Sequence, residues 1–169
     1  MEMASNETIK QAVIAGMGLS FLSLHTLGLE LDNRLIAVLD ACLVNGWGLL
    51  TASAVNVAGG VATATFTASH VYEVDSVILV AGAGTPTLNG EQRVTAISSL
   101  TVSWLAPGVA DGPVSGTVTV KLAPAGWSKA FAGTNKAAYR SLSPSATGAY
   151  IRIDHASAKV ARMRAYSAM

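Results

Sequence analysis

Hydrophobic positions along this chain change their period once. In RLIAVLDACLVNGWG, residues 34–48, Leu35, Ile36, Leu39, Cys42 and Leu43 recur at intervals that place them on one stripe of a helix. Asp32 or Asn33 can cap its start, and Asn45-Gly46 supplies a left-handed stop. Upstream, SNETIKQAVIAGMG reads as another helix start, capped by Ser5 or Asn6 with Ile9, Val13 and Ile14 on one side, and LSFLSL reads as a short strand. From residue 54 the period becomes two. VNVAGGVATATF has strand-like arms about Gly59-Gly60, with Thr63, Thr65 and Thr67 on one face and Ala62, Ala64 and Phe66 on the other. SVILVAG, QRVTAIS, LTVSWL and SGTVTVKL continue the alternation between turn-rich linkers, which defines a compact β-unit from about residue 52 to 122. AAYRSL, AYIRID and KVARMRAY add three more strand candidates, with a turn near DHASA. The expected fold class is therefore mainly β (α+β), with one or two N-terminal helices and a small β-sandwich or barrel-like module.

Composition agrees with β-structure rather than a Leu-rich bundle: 51% of residues are hydrophobic, but much of that is Ala and Val, accompanied by 16 Gly. Two long uncharged runs, between Lys10 and Glu30 and between Asp40 and Glu73, raise a membrane span. Their Ser, Thr, Asn, Gln and Gly content argues against one, and no clean cleavage site makes the first a secretory signal. Cys42, the single cysteine, excludes an internal disulfide framework and fits a reducing compartment. The net charge of +1 hides an asymmetry, because residues 121–169 hold eight of the 11 basic residues against Asp154 alone. That basic tail reads as a solvated β-face or a complementary subunit contact, and nucleic acid is not the expected partner.

Two families resemble different parts of the chain. SNETIKQAVIAGMGLSFLSLHTLGLEL, running into RLIAVLD, resembles a piece of the effector-binding domain of LysR-type transcriptional regulators, over roughly residues 5–40. From LIAVLDACLVNGWG onward, and again from GWSKAFAGTNKAAYRSL through AYIRIDHASAKVARMRAY, the chain resembles a small structural protein of tailed phages and prophages. The intervening β-unit, with HVYEVDSVILVAG, LNGEQRVT and SGTVTV, resembles a module that recurs in phage virion proteins, although Val71 follows His70 where that module has Gly. Together the resemblances imply an N-terminal regulator-like segment (1–33), a core domain built from 34–51 and 122–169, and an inserted β-module (52–121). They also imply a recombined reading frame in which a regulator fragment replaced the usual start of a phage gene.

Little in the sequence supports catalysis. His25, His70 and His155 lack any paired metal-ligand spacing, and Cys42 falls on the apolar stripe of its helix. Asp154-His155 reads as a hairpin turn rather than part of a hydrolase triad, since no G-x-S-x-G elbow accompanies it. Trp47, Trp104 and Trp127 could stack sugars but read better as core anchors. No catalytic, cofactor or metal residues are assigned, and no small-molecule ligand. The expected function is that of a virion structural component in the tail, baseplate or neck, or in capsid decoration. It is expected to act as a homo-oligomer among other virion proteins, made in the host cytoplasm and located in the particle. Arg140, Arg152, Arg162 and Arg164 are the interface candidates, meeting carboxylates across a subunit boundary, with Ala161, Met163 and Ala165 packed inward behind them. The alternatives are a LysR-like effector-binding fragment and a carbohydrate-binding β-module.

Overall fold

The computed structural model describes residues 35–157 and 160–167. The helix expected at SNETIK and the strand expected at LSFLSL lie outside them. The chain is mainly β and divides into two compact units, one holding Asn45–Pro124 and the other combining the preceding helix with the chain that follows Ala125.

The helix forms where the period of 3.6 placed it. α1 spans Leu35–Leu39 and widens into a π-helical turn over Asp40–Asn45. Gly46 then turns the chain at φ +72, a left-handed conformation that most side chains avoid. One detail differs from expectation: the wider turn rotates Cys42 off the apolar stripe and leaves it exposed, while Leu43 stays buried.

In the unit Asn45–Pro124, eight strands form one antiparallel sheet: β1 (Trp47–Thr51), β2 (Ala54–Ala58), β3 (Val61–Thr65), β4 (Val77–Ala81), β5 (Gly90–Ile97), β6 (Thr101–Leu105), β7 (Gly112–Pro113) and β8 (Thr119–Leu122). Their order is β1-β8-β4-β5-β6-β3-β2-β7. The β2–β3 hairpin turns on Gly59 and Gly60, both at positive φ, and its inward Ala62, Ala64 and Phe66 are buried, as alternation predicts. A register shift in β5 between Val94 and Ala96 lets the sheet curl. Ile78, Val80 and Val120 from one half and Val55, Val57 and Val102 from the other thereby share a single core around Trp104.

Tyr72 closes this unit on one side. Its buried hydroxyl lies 2.6 Å from the Gly48 carbonyl of β1 and 2.7 Å from the Val120 carbonyl of β8. Burial pushes the phenol up to about 12 from its ordinary value of 10. The folded state therefore holds this proton more tightly than the unfolded chain does. The resulting stability is complete below pH 10 and lost as pH rises from 10 towards 12. Thermal melts across that window are expected to fall steadily, and Tyr72→Phe to flatten the fall while lowering stability at neutral pH by about 1 kcal/mol. An unchanged alkaline slope in the variant would remove Tyr72 as its source.

The other described unit holds an antiparallel meander of β9 (Trp127–Gly133), β10 (Lys136–Ser141), β11 (Tyr150–Ser157) and β12 (Val160–Tyr166), ordered β12-β11-β10-β9. α1 and its π-turn cover one face of this sheet. Leu43 packs there with Ala137, Tyr139 and Ile153, flanked by Leu35, Ile36, Leu39, Trp127 and Ile151. Two expectations are corrected in this unit. Asp154 and His155 stand inside β11 rather than in a turn, because the strand runs on to Ser157. Met163 is 49% exposed rather than packed inward, because β12 is the edge strand and only one neighbour flanks it.

Among the described residues no helix is long and apolar enough to cross a membrane.

Candidate functional site

The two faces of the four-stranded sheet differ in chemistry, and strand register decides which residue goes where. On the face covered by α1, Tyr139 is fully buried and its hydroxyl donates to Asp40 Oδ1 at 2.8 Å. Lys129 Nζ reaches Asp40 Oδ2 at 2.7 Å, with both side chains about a quarter exposed. The pairing of Tyr139 with Lys129 across β10 and β9 puts both on the same face, so one helical carboxylate receives a phenol and an ammonium side by side. Burial first, then the hydrogen bond and charge of Asp40, raises the Tyr139 phenol far above its ordinary range. A carboxylate engaged on both oxygens in this way holds the helix on the sheet.

The opposite face carries the residues singled out in the basic tail. Register sets Arg140 opposite Tyr150, Arg152 opposite Arg164, and Asp154 opposite both Lys136 and Arg162. Arg140 lies over the Tyr150 ring, 5.7 Å from its centroid. Arg152 Nη2 reaches Asp154 Oδ2 at 3.3 Å, and Lys136 Nζ stands 4.0 Å from the same oxygen. Arg140, Arg162 and Arg164 are exposed, and Arg152 is half-buried. The structure thus brings all four candidate arginines to one sheet face, together with a carboxylate of their own chain. It also brings aromatic rings there: Tyr150 pairs with Tyr166, and Phe131, 46% exposed, pairs with Ala138. Sequence reasoning missed β9 and hence Phe131, because WSKAFAG has too few large apolar residues to show alternation. It also missed the facing of Arg152 and Arg164, which only the register of two strands reveals.

The remaining chemical candidates disperse. Trp104 is fully buried on β6, Trp127 packs under α1 and Trp47 is 42% exposed on edge strand β1, so no sugar-stacking platform forms. His70 is held between the Ser98 and Thr101 carbonyls, 2.8 and 3.1 Å from its Nε2, and stacks on Tyr72 at 5.2 Å, a structural clip whose buried Nδ1 has no hydrogen-bond partner among the described residues. Among the described residues no group of three or more His, Cys, Asp or Glu could hold a metal ion.

Comparison with known proteins touches only the start of the chain. No protein-family model matches it, and no solved structure does. Its N-terminal stretch of about 40 residues matches LysR-type regulators. It is 71% identical over 38 residues to the HTH-type transcriptional regulator CfxR of Cupriavidus necator, covering 22% of this chain and 12% of that protein. It is 60% identical over 40 residues to the HTH-type transcriptional regulator CbbR of Rhodospirillum rubrum, covering 24% and 13%. The same 60% over 40 residues, 24% and 13%, holds for the HTH-type transcriptional activator CmpR of a Synechocystis strain. The chain spans about an eighth of the length of these curated relatives, with 12–13% covered. The resemblance of the first 40 residues to LysR-type regulators therefore holds. These matches correct the expectation of a virion structural protein, with its tail or baseplate placement and particle location, since the relatives found are transcriptional regulators and none supports a phage role.

Proposed function

We propose that this chain acts by binding rather than catalysis, carrying a LysR-type effector-domain segment on a β body, and that the segment engages a LysR-type regulator in place of the regulator's own copy. The observation that carries the reading is the 71% identity over 38 residues to such a regulator, so that most side chains of the stretch, and with them most of the contacts they could make in the parent domain, are the same. A segment that retains those contacts can compete for the surface it occupies in the parent domain, as in domain swapping. The β body supports the non-catalytic side of the reading. Its helical carboxylate Asp40 is engaged in structure, under Tyr139 and Lys129.

The test is a gel-retardation titration of a full-length CfxR-type regulator on its operator, with the full chain added at increasing excess and the chain alone on the same operator as control. The regulator's apparent affinity is expected to shift several-fold at stoichiometric chain. Superimposable curves at large excess would overturn the reading.

A further inference from the structure

The open face of the β9–β12 sheet carries a clustering of arginines and tyrosines that the regulator-like segment does not account for. We propose that this face binds single-stranded nucleic acid, with backbone phosphates on its arginines and bases stacked on its tyrosine rings.

Charge is the first argument. Lys136, Arg140, Arg152, Arg162 and Arg164 share the face, and among the described residues Asp154 is its one carboxylate. Asp154 is itself already engaged by Arg152 and Lys136. The excess is therefore positive and calls for a partner of repeated negative charge. Register is the second argument. Arg152 and Arg164 stand directly opposite each other on β11 and β12, an arrangement that costs stability in the free protein and that a bridging phosphate relieves. Local conflicts of this kind mark places where function outweighs folding.

The aromatic rings choose between polyanions. Tyr150 and Tyr166 are cross-strand partners, and Arg140 already lies over the Tyr150 ring, so cation and ring are neighbours within one patch. An acidic protein surface would satisfy the arginines but does not pair each anion with an adjoining flat ring as a nucleotide does. A base has a π-face for each ring and a phosphate for each adjoining arginine. A broad sheet face with partly exposed rings among its arginines also suits unstacked bases better than a duplex, whose bases are reached only through its grooves.

The experiment is fluorescence anisotropy of the full chain with labelled oligothymidylate and oligouridylate of about 20 nucleotides, longer than a typical single-strand site. Binding is expected to weaken with salt with a logarithmic slope of about −3, as four to five phosphate contacts predict for single strands. Arg162→Glu combined with Arg164→Glu is expected to weaken binding by more than about tenfold. Both residues are exposed, so the melting temperature should change little. If the double variant melts early, Arg164→Gln replaces it and should make the slope shallower by about 0.7. Tyr166→Ala is expected to lower affinity about tenfold, and Tyr166→Phe to restore it, since the ring rather than the hydroxyl does the stacking. No binding at low salt, or binding indifferent to the charge reversals, would overturn the proposal. So would polyglutamate of matched charge competing as well as the oligonucleotides while Tyr166→Ala has no effect, which would assign the face to an acidic protein.

Discussion

Trp104→Ala is expected to remove about 3–5 kcal/mol of stability, the range for deleting a fully buried tryptophan. For a domain stabilised by about 5–15 kcal/mol this approaches loss of the fold. The reason lies in where the sheet places it. Trp104 sits on β6 opposite Ala62 of β3 and Val94 of β5, with no exposed surface. The alanine and valine are small because the indole fills the space between the two halves of the curled sheet. Without the indole those neighbours are too short to meet, so the cavity persists. Urea unfolding should show the midpoint falling by about 1–3 M with its slope preserved. Trp104→Phe discriminates further. The indole Nε1 is buried and has no hydrogen-bond partner among the described residues. Phenylalanine therefore gives up packing volume but no hydrogen bond, and removes a donor left dry by the fold. We expect it to cost less than half as much as alanine. An equal loss for Phe and Ala would mean that the nitrogen is paired after all.

The hairpin core was legible in the sequence because alternation and turn chemistry agreed. VNVAGGVATATF put Ala62, Ala64 and Phe66 inward, and the structure buries all three. α1 was legible for the same reason, since LIAVL has a helical period and Asn45-Gly46 a stop. Failures came where one local signal had to stand alone. Cys42 left the stripe because the turn widens into a π-helix, which no spacing rule encodes. Met163 stayed exposed because alternation tells which residues share a face but not whether a strand is at the edge. The basic face was half legible. A surplus of positive charge after residue 120 is plain in the sequence, and Arg162 and Arg164 share a face on any strand. That Arg140 lies over Tyr150 and Arg152 faces Arg164 depends on the register of three strands, and those pairings are what turn a charge count into a site. Family resemblance divided: the regulator-like start held, while the placing of the body among virion proteins failed, since the relatives found match only the first 40 residues and are transcriptional regulators.

Asp40→Ala is expected to destabilise the unit formed by α1 and β9–β12 by about 2–3 kcal/mol, although Asp40 is neither apolar nor fully buried. Its carboxylate accepts from the Tyr139 hydroxyl at 2.8 Å and pairs with Lys129 at 2.7 Å, across nearly a hundred residues of chain in both cases. Removing it leaves the Tyr139 hydroxyl with only the Ile36 carbonyl, at 3.3 Å, and leaves the Lys129 ammonium, only 26% exposed, without a counter-charge. The loss of favourable pairing is modest, because the site is open enough for water to screen it. The larger part is the penalty for a buried phenol and a half-buried ammonium with weakened partners. Tyr139→Phe should be milder, about 1–2 kcal/mol, since it removes the donor along with the bond and keeps the ring in the core. The double variant should then lose less than the two losses summed, because the second substitution removes a group that the first had already orphaned. Hydrogen exchange gives the most direct reading. Amides of β10 and β11 are expected to lose protection in Asp40→Ala, while those of β2, β3 and β6 keep theirs. Equal loss of protection in both sets would show that Asp40 supports the whole chain rather than the seat of α1 on its sheet.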